Sequence, residues 1–134
     1  RERTGVLTDN EGYKIRPANW GKQIWEKLIQ PLPNVDMVIC GHTGKPGEFE
    51  DATAYVKSKN AAGNTVHQMM FNVQILGGGW EGNGGDGWVR ILEFYPDGKT
   101  IHVKTYSPLF GISPTTKEHA HRKGKLDDYK ITIE

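Results

Sequence analysis

The stretch Asn34-Val35-Asp36-Met37-Val38-Ile39-Cys40-Gly41-His42 decides how this chain is read. Val35 to Cys40 is a short, nearly continuous apolar run, the pattern of a strand buried on both faces. Gly41 lets the backbone turn sharply after it. The turn brings out the His42 imidazole at the strand's carboxyl end, where side chains of α/β sheets face ligands. The segment that follows, Thr43-Gly44-Lys45-Pro46-Gly47, reads as a loop. A surface-loop histidine without a role is the bland alternative for His42.

On the amino-terminal side, Trp20, Ile24, Trp25, Leu28 and Ile29 fall on one helical stripe. The expected helix covers residues 18–30. Asn19 suits its start, and Pro31 and Pro33 stop it, because proline lacks the N–H and its ring clashes with the preceding turn. Residues 1–17 are polar and turn-rich and read as a long loop. On the carboxyl-terminal side, 35–134 is strand-rich. Ala52–Lys57 and Val66–Ile75 read as strands. Trp88–Tyr95 and Ile101–Tyr106 read as a hairpin around Pro96-Asp97-Gly98-Lys99. Tyr129–Ile133 alternates as a last strand. Residues 77–87, glycine-rich, read as a long turn with several positive φ angles, and residues 113–127 as irregular. The expected class is α+β: a mostly antiparallel sheet with one packed helix in a single, partial domain.

Composition narrows the function classes. The chain has 134 residues, a formal charge of +1 and one cysteine. No apolar run approaches the roughly 20 residues of a membrane span. Balanced charge gives no global field for nucleic acid. A lone Cys40 forms no internal disulfide and no cysteine-cluster zinc site, and in an apolar strand it packs as a small hydrophobe. The chain begins Arg1-Glu2-Arg3 with no initiator methionine and no signal segment: either a leader was removed earlier or the chain is cut from something longer.

Two segments together resemble the calcineurin-like metallophosphoesterases. The strand ending in Gly41-His42 is similar to that family's Gly-His strand. The run from Gly84-Gly85-Asp86-Gly87 through Arg90-Ile91-Leu92-Glu93-Phe94 to Thr105-Tyr106-Ser107-Pro108 is similar to the last strand pair of secreted bacterial members. The resemblance covers residues 15–108 and implies one half of a two-sheet sandwich. It implies a phosphate-ester hydrolase working through a divalent metal pair (Mn, Fe or Zn), with His42 as a metal ligand. The family's second histidine of Gly-His-x-His is Gly44 here, and residues 1–40 contain no histidine. The remaining ligands are therefore expected from a missing amino-terminal part of the same domain. This segment alone is expected to bind no metal pair and to hydrolyse nothing. Asp9, Asn10, Thr43 and Trp80 are the expected substrate-cleft residues, Glu11 and Tyr13 lying beside the first two. The resemblance also implies an exported bacterial protein. Half a sandwich leaves an apolar face and strand edges exposed, so self-association is expected.

Other readings compete. His119-Ala120-His121 would share a face on a strand and chelate a metal, but Lys117, Arg122, Lys123 and Lys125 oppose a cation there. The basic run 122–125 reads as a solvated loop. His67 and His102 read as solvent-face residues of alternating strands. The alternative function is a stand-alone β-rich module binding carbohydrate or another flat ligand by stacking on Trp80, Trp88 and Tyr95.

Overall fold

The apolar run before Gly41 forms a strand, but at a sheet edge rather than between two covers. In a computed structural model, which describes residues 21–42, 49–74, 76 and 84–133, β1 (Met37–Cys40) pairs in parallel with β3 (Thr65–Phe71). β2 (Thr53–Lys59) closes the other side of β3 in an antiparallel register, Thr53 opposite Phe71. Among the described residues the order is therefore β1–β3–β2. Ile39 is 58% exposed, which corrects the expectation of burial on both faces. The strand covered on both faces is β3, whose residues 66–70 are all buried.

The second sheet is the expected hairpin extended. β4 (Val89–Phe94) and β5 (Thr100–Tyr106) pair antiparallel, Val89 opposite Tyr106. Both β6 (His121–Arg122) and β7 (Tyr129–Thr132) lie along the far edge of β5. In β5, Ile101, Val103 and Thr105 point inward and are buried, as period-two alternation requires. Asp97 fixes the hairpin turn. Its carboxylate accepts from the backbone N–H of Lys99 and Thr100 and from the Thr100 hydroxyl, which holds it at about 2, well below the usual carboxylate range. The fold is α+β with mostly antiparallel pairing.

Side chains of the two sheets meet in one core. Met69, Tyr55 and Met37 of the first pack with Ile101, Val103, Ile131, Leu92 and Tyr129 of the second in one apolar cluster. Each fully buried aliphatic side chain there contributes about 1.5–3 kcal/mol of transfer free energy. His67 sits in the same layer and is 2% exposed. This overturns its reading as a solvent-face residue, because sheet two covers the face that alternation left to solvent. Its Nδ1 lies 2.6 Å from the Tyr55 hydroxyl and its Nε2 3.1 Å from the Thr132 carbonyl oxygen on β7. Burial, with the neighbouring Tyr129 second, pushes the Tyr55 phenol up to about 12. The unfolded phenol ionises near the ordinary value of 10, so between pH 10 and 12 the unfolded chain loses its proton first. Chemical denaturation across that window is expected to show stability falling as pH rises, and the fall to shrink in Tyr55→Phe.

The helix covers the opposite face of the first sheet. α1 (Gly21–Ile24) runs on into a π-helical turn, Trp25–Ile29; residues 18–20 of the expected helix lie outside the described residues. Side chains from both pieces line a groove with Val38, Cys40 and Gln68. Burial there pushes the Cys40 thiol up, in keeping with a packing role. The helix exit is tied to the β2–β3 turn by Asn60 Nδ2 to the Leu32 carbonyl, Asn64 Nδ2 to the Pro33 carbonyl, and Ala61 N–H to the Gln30 carbonyl.

One further helix, α2 (Pro108–Ile112), was not foreseen. Ser107 caps it, accepting from the Phe110 N–H at 3.2 Å, while its hydroxyl donates to the Asp86 carbonyl at 2.6 Å. The serine thereby clamps the end of the glycine-rich segment. There Gly84, Gly85, Asp86 and Gly87 all have positive φ, the expected long turn in its described portion. Gly85 is pressed against the chain: a Cβ there would stand 2.2 Å from the Val73 carbonyl oxygen. Gly85→Ala must move backbone as well as adopt a left-handed φ, and is expected to cost about 3 kcal/mol in thermal unfolding. Gly84→Ala, with open space around it, carries the φ cost alone, about 1 kcal/mol. Equal losses for the two would refute the close-approach explanation.

Candidate functional site

Strand directions sort the loops into two ends. At one end lie the tight turns, 60–64 between β2 and β3 and 95–99 between β4 and β5. At the other end β1 and β3 finish, β2 and β4 begin, and β5 finishes opposite His121. The described parts of the longer connections, 41–42 and 49–52, 72–74 and 84–88, adjoin these strand ends, as does 107–120. Rigid strands carrying long loops at one end is the arrangement in which binding residues accumulate.

His42 stands at this end, one residue beyond Gly41. It is exposed and has φ +73°, one of two non-glycine residues with positive φ among the described residues, Asp86 being the other. Histidine tolerates this region better than bulky residues, and a strained conformation beside a strand end is a recurrent feature of functional loops. A Cβ on Gly41 would stand 3.3 Å from the Phe71 carbonyl oxygen, a tight fit where β1 leaves β3. Asp9, Asn10, Thr43 and Trp80, with Glu11 and Tyr13, lie outside the described residues.

From β3, an aromatic path leads across the same end. Phe71 meets Phe49 edge-on at 6.2 Å, Phe49 meets Trp88 at 5.9 Å, and Trp88 meets Phe110 at 5.3 Å. Arg122 lies on the Phe49 ring, 3.6 Å from its centroid. Its Nε donates to Asp127 Oδ2 at 3.2 Å and its Nη2 reaches Glu50 Oε1 at 3.4 Å. This corrects the reading of the basic run 122–125 as a solvated loop: Arg122 is packed and paired, while Lys123 and Lys125 are exposed. A second arginine, Arg90, lies 4.5 Å from the Phe71 centroid and donates from Nη1 to the Leu126 carbonyl at 2.6 Å. Burial draws its guanidinium down, opposed by Tyr129 and Asp127.

Trp88, Phe110, Arg122 and Asp127 form, with Glu50, Glu118, His119, His121, Lys123 and Gly124, a cleft of about 460 Å³. His119 and His121 do not share a strand face as expected. His119 ends a 3₁₀ turn (Lys117–His119), Ala120 is buried, and His121 opens β6 against the Tyr106 ring. Among the described residues no three His, Cys, Asp or Glu side chains are grouped so as to hold a metal ion. The trio proposed for stacking is not assembled either. Trp88 is at the loop end, whereas Tyr95 adjoins the opposite turn, against His102 and under Lys130.

His102 belongs to the outer face of the second sheet and is only partly exposed. Its Nε2 is 2.5 Å from Asp128 Oδ1, and its Nδ1 is 3.8 Å from Glu93 Oε2. The hydrogen bond from His102 holds the Asp128 carboxyl below its ordinary value; Lys104, bonded to Glu93 at 2.6 Å, does the same for Glu93. The sequence reading placed Arg122 only in a solvated basic run and did not single out Asp127. Their one signal, an arginine five residues before an aspartate, is too common to single out.

No helix among the described residues is long and apolar enough to cross a membrane. The chain is similar to the uncharacterized protein YvnB of Bacillus subtilis (strain 168), with 36% identity over 118 residues. The match takes in 85% of this chain and 8% of YvnB, so the chain spans a small part of the relative's length. No protein-family model matches it, and no solved structure does.

Proposed function

We propose that this chain is the carboxyl-terminal segment of a calcineurin-like metallophosphoesterase, and that His42 is the ligand it contributes to a two-metal centre. The observation that carries the reading is the position of His42: exposed, left-handed, and at the carboxyl end of a strand that is parallel to its neighbour and at the sheet edge among the described residues. The metal-ligand donors fit in part only. One imidazole suits Mn, Fe or Zn but holds no such ion by itself, and no group of three His, Cys, Asp or Glu side chains able to hold a metal ion occurs among the described residues. The other ligands belong to polypeptide preceding Arg1. A metal pair held that way would activate water and stabilise charge on the phosphate oxygens. What this chain's own residues do in this reading is position one imidazole at the end of β1.

The unpaired flank supports the same reading. Among the described residues β1 pairs only with β3 and β4 only with β5, so each is an edge strand. Between them lies an apolar cleft of about 360 Å³ lined by Ile39, Met69, Phe71, Trp88, Val89 and Leu92, together with Arg90. A parallel strand with apolar side chains and one bare edge is half a pairing. Preceding polypeptide would complete it, giving the two-sheet sandwich of an exported bacterial enzyme; in its absence the flank would drive self-association. The test compares the 134-residue chain with the same chain joined to its natural upstream sequence. With added Mn²⁺, the long form is expected to hydrolyse p-nitrophenyl phosphate and the 134-residue form is not. Turnover by the short form, or none by the long form under any of Mn, Fe or Zn, would refute the proposal.

A further inference from the structure

We propose that the cleft at the loop end is a binding site for a neutral saccharide. Two donor–acceptor pairs line it. The first is Arg122 with Glu50: the guanidinium is fixed flat on Phe49 and its Nε is spent on Asp127, so its Nη edge stands beside the Glu50 carboxylate at 3.4 Å. The second is His119 with Glu118, Nε2 to Oε1 at 3.4 Å. Each pair sets an N–H donor next to a carboxylate acceptor. Vicinal hydroxyls of a sugar, each both donor and acceptor, match that spacing, one hydroxyl taking the N–H while its neighbour gives to the carboxylate. Trp88 and Phe110 add aromatic carbon to the lining, a surface for the C–H face of a pyranose.

Charge decides against the other ligand classes. An oxyanion would enter beside Glu50, Glu118 and Asp127; a cation would enter beside Arg122 and Lys123. A ligand without charge meets neither penalty, and the volume of about 460 Å³ exceeds that of one monosaccharide. The site uses this chain's residues alone, so the inference stands or falls independently of the phosphoesterase reading.

The experiment is an NMR titration of the 134-residue chain, without metal, using glucose, galactose, mannose and N-acetylglucosamine, with inorganic phosphate in parallel. At least one saccharide is expected to shift the Trp88 indole N–H saturably with a Kd of about 1–10 mM, a weak single-sugar affinity. Trp88 itself packs on Phe49 and is left intact. The double variant Glu118→Ala/His119→Ala changes two exposed side chains and is expected to weaken binding about tenfold or more with an unaltered melting temperature. No saturable shift with any saccharide, binding unchanged in the double variant, or saturation of the indole shift by phosphate instead would each overturn the proposal.

Discussion

His67→Ala is expected to destabilise the chain by about 4 kcal/mol and to lower its melting temperature by about 15 °C. The loss has three parts. The Tyr55 hydroxyl loses its 2.6 Å partner and the Thr132 carbonyl its 3.1 Å donor, both between packed sheets. Each stranded polar group costs about 1–3 kcal/mol. The third part is the hole, because a ring that is 2% exposed leaves space that the β-sheets cannot close without sliding. The two bonds also fix the tautomer. A carbonyl only accepts, so Nε2 carries the hydrogen and Nδ1 accepts from Tyr55, an arrangement that ¹⁵N imidazole shifts read directly. Tyr55→Phe removes one bond and no volume, and is expected to cost about 1 kcal/mol. If His67→Ala falls within 1 kcal/mol of the parent, the histidine is not what ties β7 to the first sheet.

The same residue shows where the sequence stops being legible. Period-two alternation in Val66–Phe71 put His67, Met69 and Phe71 on one face and Val66, Gln68 and Met70 on the other. It could not say that both faces are covered, because one cover comes from residues 21–29 and the other from 89–132. A buried histidine with two partners far along the chain looks like a surface histidine until those partners are placed. The opposite error befell β1. Its continuous apolar run signals burial, yet Ile39 is exposed, since an apolar run does not tell an edge strand from a central one and β1 is an edge strand among the described residues. Local signals were readable where local physics decides. The Pro96–Lys99 turn, the positive-φ glycines at 84–87 and the inward Ile101 and Val103 all depend on residues within a few positions. Ser107 is an intermediate case: its capping of α2 is a local signal, Ser-Pro before an apolar pair, while its second bond to Asp86 is not. The site divides along the same line. His42 was legible from Gly41 and the strand before it. The stacking of Arg122 on Phe49 joins residues 73 positions apart, and nothing in either segment announces the other.

Replacing His42 separates function from folding more cleanly than any other substitution in this chain. In the protein carrying its upstream sequence, His42→Ala is expected to lower p-nitrophenyl phosphate turnover by at least about 100-fold, since even groups that only orient a metal ligand cost 10- to 100-fold when removed. Metal content should fall with it, by about half if one ion of the pair depends on this imidazole. Stability should move little, and in a revealing direction. At φ +73° a side chain with a Cβ carries a strain of about 1–2 kcal/mol that glycine does not. His42→Gly relieves that strain while deleting the ring, so its melting temperature is expected to equal or exceed the parent's as its turnover collapses. A protein that becomes no less stable and loses its activity has kept an unfavourable backbone conformation for the sake of where it puts an imidazole. If instead His42→Gly retains full turnover and full metal content, the strand end is a turn like any other, and the loop-end assignment of the metal ligand is wrong.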